Sequence, residues 1–271
     1  MINNQLIFGK GNAKLDSYIG TFSLPAAYSC PSAYLCQSFA NRKTGKITDG
    51  KHTQFRCFAA TSEQIFPSVR KARWHNFELI KSCKSSGEMT NLIQSSIPAN
   101  TTYIRTHVSG DFYNENYFQA WMQFAKNNPT TIIYGYSKQI HFLVKYKKQI
   151  PSNFRFTASL GGLHDNLIHK HKLISAQVVY SVNDAKEKGL EIDHDDSKAI
   201  EYKKSFALLL HGMQPAGSNA SLAMSKLRKA GYIGYSNKRD SKNTNPHFTT
   251  IIHINSTPLQ FRMFKNKLTF A

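Results

Sequence analysis

Predicted strands and helices alternate through the middle of the chain, and this alternation constrains the fold more than any other feature of the sequence. The strands are short runs of β-branched and aromatic residues, and the segments between them carry apolar residues at helical spacing. Strands that alternate with helices of this length form parallel βα units, so we predict a parallel sheet. The strands are predicted at residues 103–108, 131–136, 154–159 and 177–182, and the helices at residues 116–126 and 139–148.

Outside this region the patterns are less regular. A polar segment at residues 41–52 is interpreted as a hairpin or an insertion, and helical spacing predicts helices over residues 62–84 and 218–230. A β-type run covers residues 249–254. An acidic stretch near residue 195 is interpreted as a solvated loop in preference to a cation site. Its carboxylates are Asp193, Asp195 and Asp196.

No repeat, low-complexity tract or linker divides the sequence, so we predict one α/β domain over residues 1–271. Within it we distinguish a cysteine-bearing N-terminal segment at residues 18–60 and a βα core at residues 100–182. Residues 183–271 form a C-terminal part whose organisation is harder to predict.

The chain carries a formal charge of +19, from 35 Lys and Arg against 16 Asp and Glu. A surface this positive repels itself unless it meets a polyanion. The basic residues are spread from Lys43 to Lys242, which favours a broad face that contacts phosphates over a single reading helix. We therefore expect nucleic acid, either DNA or RNA, as the partner. A surface that is merely basic is the alternative.

Residues 1–14 lack the apolar core of a signal peptide, and no apolar run approaches the roughly 20 residues that span a bilayer. We expect no membrane partner and a cytoplasmic location. In a reducing compartment, the four cysteines are expected to be free thiols or metal ligands rather than disulfides.

Three cysteines form the first candidate site. Cys30, Cys36 and Cys57 have the spacing C-x5-C-x20-C, and the first two lie in a loop after a predicted strand. Thiolates hold zinc or iron–sulfur clusters, and such a loop lets separate cysteines converge. Cys83 is either a fourth ligand or a buried thiol. The alternative for all four is a small buried apolar side chain, since cysteine is among the most buried residue types.

Short polar segments follow the predicted strands and form the second candidate site. Parallel sheets carry their sites beyond the carboxyl ends of the strands, so these segments should meet at one edge. The residues are Ser109, Gly110 and Asp111 after one strand, Ser137 and Lys138 after the next, and residues 159–165 after the third.

Several ordered strings carry a resemblance to a known family. Together they resemble the gene product 88-like family of phages and mobile elements, over roughly residues 10–165. The resemblance implies a phage-like protein in a bacterial host cell and supplies no biochemical role. The strings are GNAKL at 11–15, SLPA at 23–26, SCP at 29–31, CFA at 57–59, VSGDF at 108–112 and YSK at 136–138.

A wider resemblance is to radical S-adenosylmethionine enzymes, in which three cysteines after the first barrel strand precede a Gly-Gly-Glu-like motif. It implies a [4Fe–4S] cluster on the three cysteines and S-adenosylmethionine at the Ser109-Gly110-Asp111 turn, where Asp111 would hold the cofactor's ammonium group. It also implies a TIM-like or partial barrel of parallel βα units. The usual C-x3-C-x2-C spacing is stretched here to C-x5-C-x20-C, which is a departure from that pattern.

The leading hypothesis is a basic, phage-like iron–sulfur protein, similar to radical S-adenosylmethionine enzymes, that acts on or binds nucleic acid. One alternative is a non-catalytic DNA- or RNA-binding protein with a structural metal such as zinc. Another is a metal-dependent nuclease, because histidines and carboxylates at strand ends can bind divalent cations. Its candidate ligands are His107, Asp111, His164, Asp165, His169 and His171.

Overall fold

The structure is a computed structural model that describes residues 4–12 and 14–232. The predicted β-type run at 249–254 lies outside these residues. The strands are β1 (Gly9–Lys10), β2 (Ile19–Ser23), β3 (Ser38–Ala40), β4 (Ile47–Asp49), β5 (Tyr103–Ser109), β6 (Ile132–Ser137), β7 (Phe154–Ser159), β8 (Ser175–Val179) and β9 (Phe206–Leu209). The helices are α1 (Phe58–Ile65), α2 (Pro67–Ser82), α3 (Ser86–Ser96), α4 (Glu115–Asn127), α5 (Ile140–Lys145), α6 (Asp165–His171), α7 (Val182–Glu187), α8 (Ser197–Glu201) and α9 (Asn219–Lys229).

A seven-stranded sheet organises the molecule, in the order β1-β2-β5-β6-β7-β8-β9. Strand β1 is antiparallel to β2, and the six strands from β2 to β9 are parallel to one another. Consecutive strands of this sheet are neighbours, which confirms the predicted parallel βα units in one domain. Within the described residues, β1 and β9 are the two ends of this order, and no pairing between them closes the sheet. On the side away from β8, Ala207 of β9 forms an isolated bridge with Ile192.

Side chains alternate between the two faces of the sheet, as the two-residue period of a strand requires. Ile133 on β6 and Phe154 and Phe156 on β7 pack into the main core beneath the helices. Helix α4 covers this face with Phe118 and Trp121, which are fully buried.

The opposite face of the sheet, here called the inner face, is covered by α8 and by residues that precede β2. Tyr134 packs there with Leu15, Ile19 and Ile200. Charged groups are buried beside this second core: Asp196 accepts from Lys14 Nζ at 2.6 Å and from Arg105 Nε at 2.8 Å.

The interpretation of Asp193, Asp195 and Asp196 as a solvated loop is therefore wrong, since all three are buried. Asp196 is held by two cations and by the Tyr136 hydroxyl, at 3.0 Å. An acidic stretch is usually solvated because it has no basic partner nearby in sequence. Here the basic partners, Lys14 and Arg105, come from segments that are distant in sequence.

Two predicted helices differ in their bounds. The helix predicted over residues 62–84 is two helices, because Pro67 begins α2 and cannot continue α1. The helix predicted over residues 139–148 is reduced to α5, Ile140–Lys145. The polar segment 41–52 contains β4 and the turn of the β3–β4 hairpin, as expected. No helix in the described part of the chain is long and apolar enough to cross a membrane.

Candidate metal and cofactor site

A β-bulge at the end of β5 shapes the candidate site. Phe22 of β2 pairs with Thr106, but the next residue, Ser23, pairs with Ser109, so β5 carries two extra residues at this point. One of them, His107, has a φ of 62°, which is uncommon for a residue with a side chain. Bulges of this kind re-aim the residues that follow them. The bulge therefore sets the direction of the turn that begins at Ser109.

Gly110 lets this turn closely approach the loop that follows β2 and carries Cys30 and Cys36, here called the cysteine loop. Its φ is 90°, and a Cβ built on it would lie 2.5 Å from Ser29 Oγ and 2.7 Å from Leu24 Cβ. Any larger residue would push the turn away from the loop that carries Cys30, so glycine is required here for both conformation and space.

Asp111 joins the loops that follow β5 and β6. Its Oδ1 accepts from the Phe112 N–H and the Ser137 hydroxyl, at 2.8 and 2.7 Å, and its Oδ2 accepts from the Lys138 N–H at 2.7 Å. Burial raises the pKa of Asp111 to about 6, and these hydrogen bonds oppose the rise. Asp111 thus fixes the turn, and it does not cap α4, whose N-cap is Asn114. A carboxylate has about four acceptor sites, so one site on Oδ2 remains for a ligand.

Lys138 extends the connection to the loop after β7. Its ammonium donates to the Ser159 carbonyl at 3.2 Å, to the Ser159 hydroxyl at 3.0 Å and to the Leu160 carbonyl. The Gly161 carbonyl in turn accepts from the Tyr34 and Leu35 N–H groups of the cysteine loop. The polar segments that follow the predicted strands therefore do meet at one edge of the sheet, and the cysteine loop is hydrogen-bonded to that edge.

The three cysteines of the predicted site lie close enough for the charge of one thiolate to affect the pKa of another. Burial raises the pKa of Cys30 well above its ordinary value, and negative charge on Asp111, Cys57 and Cys36 raises it further. Each of the three residues nevertheless remains partly exposed to solvent. The structure therefore places the three thiols near one another, with Cys30 close enough to Asp111 to be affected by its charge.

Cys57 has additional neighbours that favour a thiolate. Burial and the charge of Cys36 raise its pKa to about 11, while the Ala59 and Ala60 N–H groups and the Arg73 guanidinium act in the opposite direction. The two N–H groups belong to the first turn of α1, which Cys57 precedes directly. A helix N-terminus stabilises negative charge, so this end of α1 is suited to a metal-bound thiolate.

The donor chemistry matches a soft metal, but the thiols do not surround a single point. Among residues 4–12 and 14–232, no group of three or more His, Cys, Asp or Glu side chains is arranged to hold one metal ion. If a cluster is bound here, the Cys30, Cys36 and Cys57 thiolates are the groups that would hold it.

A buried ion pair beneath the site was not anticipated from the sequence. Glu63 Oε1 accepts from the Ala26 N–H at 2.9 Å, from Arg73 Nη1 at 2.8 Å and from the Ser109 hydroxyl at 3.5 Å. This carboxylate therefore links the cysteine loop, α2 and the β5 turn. Burial raises the pKa of Glu63, and the Arg73 charge opposes that rise.

Cys83 lies at the end of α2, where it packs against the main core. Burial and the charge of Glu88 raise its pKa, and none of the other three thiols contributes to that rise. The structure thus separates Cys83 electrostatically from the other three, in keeping with the interpretation of a buried thiol.

The candidate nuclease residues are dispersed. His107 is buried against Phe112 and contacts the Tyr117 hydroxyl at 3.0 Å, and Asp165 accepts from the Gly161 and Gly162 N–H groups. His169 and His171 lie on α6, where a separation of two residues places them on different sides of the helix. The described residues therefore do not bring this set together.

A model of a protein family described as Gene product 88 matches residues 2–231 of the chain. The match extends past the strings at residues 10–165 and includes β8, β9 and α9. No curated protein and no solved structure matches the chain.

Proposed function

The chain belongs to the Gene product 88 family. From the site geometry and the charge of the chain we propose that it is an iron–sulfur protein that binds nucleic acid. The observation that carries the proposal is the gathering of Cys30, Cys36 and Cys57 at the carboxyl edge of the sheet, beside Asp111. A bound cluster would supply one-electron chemistry or hold the loop in place. The chain's own part is to present two thiolates from the loop after β2, which is hydrogen-bonded to the edge of the sheet, and a third from the residue that precedes α1.

Three features support the proposed thiol site. The charges of Cys36 and Cys57 affect the pKa of Cys30, so the three thiols lie near one another. Cys57 stands at a helix N-terminus with Arg73 nearby, and both favour the anionic form that a cluster requires. The three cysteine residues are also partly exposed to solvent.

Nucleic acid is the proposed partner because of the charge. A net charge of +19 favours binding to a polyanion, and the phosphate backbone of nucleic acid is the commonest polyanion that a protein of this charge binds. A cytoplasmic location belongs to the same proposal, because that compartment keeps thiols reduced.

Binding of S-adenosylmethionine beside the cluster is a narrower proposal. It depends on Asp111, whose Oδ2 accepts one hydrogen bond from the protein and has one acceptor site left for an ammonium group. Asp111 also lies close enough to Cys30 for its charge to raise that thiol's pKa. A ligand held by Asp111 would therefore lie next to the thiol site.

Single serine substitutions test the thiol site. Cys30→Ser, Cys36→Ser and Cys57→Ser should each release iron to a similar extent, because a three-thiolate site fails when one ligand is lost. Cys83→Ser is the matched control and should retain the wild-type iron content. Iron, zinc and acid-labile sulfide are measured in each anaerobically purified variant.

Full metal retention by all three site variants would refute the proposed site. If the wild type contains zinc and no sulfide, and the same three substitutions release the zinc, the site holds a structural zinc ion and not a cluster. Loss of metal from Cys83→Ser as well would make the site four-coordinate and closed.

Calorimetry tests the cofactor proposal. Asp111→Asn should weaken S-adenosylmethionine binding by about 10-fold or more while the iron content stays unchanged, because a charge-assisted hydrogen bond is typically worth about 1.5–3 kcal/mol. Absence of binding heat in cluster-loaded wild type would eliminate the cofactor and leave the thiol site untouched.

A further inference from the structure

Two exposed tyrosines, Tyr28 and Tyr34, lie in the segment that carries Cys30 and Cys36. Tyr28 is 44% exposed and contacts Trp74 edge-on, with ring centroids 4.8 Å apart. It also meets Phe39 of the β3–β4 hairpin at 5.3 Å. The Arg42 guanidinium lies over the Trp74 ring, 4.8 Å from its centroid. This group therefore combines an exposed ring with a cation.

A second pair lies farther along the same loop. Tyr34 and His52 are stacked with ring centroids 4.4 Å apart and planes inclined by only 19°. Tyr34 is 37% exposed, and His52 is exposed too. Tyr28 precedes Cys30 by two residues, and Tyr34 precedes Cys36 by two. Both tyrosines therefore lie two residues before a cysteine of the candidate site. The two groups together are here called the aromatic surface.

The charge around the aromatic surface is positive. Residues 25–80 contain eight Lys and Arg against three acids, Asp49, Glu63 and Glu78. Each acid is paired with an arginine, namely Arg56, Arg73 and Arg42 respectively, so the lysines are left without an acidic partner in this segment. Four exposed lysines lie in this segment. Lys43, Lys46 and Lys51 are in or next to the β3–β4 hairpin, and Lys71 is in the first half of α2.

We propose that the aromatic surface binds single-stranded nucleic acid, with bases on Tyr28 and Tyr34 and phosphates on the neighbouring lysines. The proposal rests on the nucleic-acid binding proposed above and assigns it a place and a strand type. Exposed rings among cations bind single strands because every base has a π-face to stack on, whereas duplex bases are already stacked on one another. Stacked Tyr34 and His52 would form a ready platform for a base.

Fluorescence anisotropy with a short, labelled oligothymidylate provides the test, on full-length protein at low salt. Tyr28→Ala and Tyr34→Ala should each weaken binding by about 5- to 150-fold, the range for loss of one base–aromatic stack. The matched control is Tyr18→Ala, since Tyr18 is 40% exposed but precedes the amino end of β2, at the opposite edge of the sheet. The control should bind as the wild type does.

A salt titration separates stacking from charge. The slope of log affinity against log salt should stay the same in the tyrosine variants, because no phosphate contact is lost. In a Lys43→Gln, Lys46→Gln double variant the slope should become shallower by about one or two units, since it falls with each phosphate contact removed.

Three results would overturn the assignment. Wild-type affinity in both Tyr28→Ala and Tyr34→Ala, with circular dichroism confirming that they are folded, would place the binding surface elsewhere while nucleic-acid binding itself stands. Tighter binding of duplex than of single strand would also refute the strand type. Absence of any salt-dependent binding by the wild type would refute both this assignment and the proposed nucleic-acid partner, and leave the metal site to its own test.

Discussion

Replacing Asp196 with Asn tests the buried charge network on the inner face of the sheet. Asp196 accepts from Lys14, Arg105 and the Tyr136 hydroxyl, and its side chain is almost completely buried. The residue has a φ of 65°, a left-handed conformation that Asn adopts as readily as Asp. The substitution therefore keeps the size and the backbone, removes the negative charge and replaces one acceptor oxygen with an N–H donor.

The expected loss of stability follows from the cations left behind. Removing one partner of a buried ion pair costs about 3–5 kcal/mol, because the remaining charge stays buried without compensation. Arg105 is in that position, since its other described acceptors are the uncharged carbonyls of Thr106 and His107. A loss of this size corresponds to a fall in Tm of about 6–20 °C for a protein of roughly this length.

The effect also has a pH signature. The Lys14 and Arg105 charges hold the pKa of Asp196 well below its ordinary value of 3.8. A carboxylate with a lowered folded-state pKa stabilises the protein above the unfolded-state pKa and loses that stabilisation as the pH falls through the folded-state value. The difference between wild type and Asp196→Asn should thus be constant above about pH 4 and should shrink at lower pH.

Urea denaturation followed by circular dichroism measures the difference. Glu78→Gln is the matched control, because Glu78 pairs with Arg42 at the surface, where the two side chains are 52% and 51% exposed. Exposed pairs contribute about 0–1 kcal/mol, so the control should remain close to the wild type. A loss of less than about 1 kcal/mol in Asp196→Asn would refute the argument that the buried network stabilises the fold.

Two further substitutions test the support of the candidate site. Gly110→Ala should lower the free energy of unfolding by at least about 1–3 kcal/mol, because its φ is 90° and the new Cβ would meet Ser29 and Leu24; an unchanged Tm in thermal denaturation would contradict this close approach. Glu63→Gln should cost about 3 kcal/mol or more and lower the iron content without touching a thiol, since Arg73 would lose its buried counterion. Wild-type iron content in a folded Glu63→Gln variant would show that this pair does not position the cysteine loop.

The parallel core could be predicted because its signals are local. β5, β6 and β7 follow the predicted strands to within one residue, and the rule for carboxyl ends placed Asp111 and Lys138 at a common edge. The convergence of the three cysteines was expected from a resemblance and from the loop that holds two of them. The bulge in β5 could not be predicted, because the residues of β5 do not indicate it.

The missed features depend on contacts between distant residues. Glu63 meets Ala26 and Ser109, which are 37 and 46 residues away, and nothing near Glu63 in the sequence indicates either partner. Asp196 was interpreted as solvated because its neighbours in sequence are polar, whereas its partner Lys14 is 182 residues away. Burial of a charge can be predicted only when its counterion is known, and sequence pattern alone does not supply that pairing.

The central claim is that Cys30, Cys36 and Cys57 hold an iron–sulfur cluster, and the most direct measurement is the composition and absorbance of anaerobically purified protein. The account predicts iron and acid-labile sulfide in equal amounts, with a broad absorption near 400 nm that bleaches on reduction, as is typical of clusters held by cysteine thiolates. Protein reconstituted with iron and sulfide that still contains neither, and shows no absorption in this region, would contradict it.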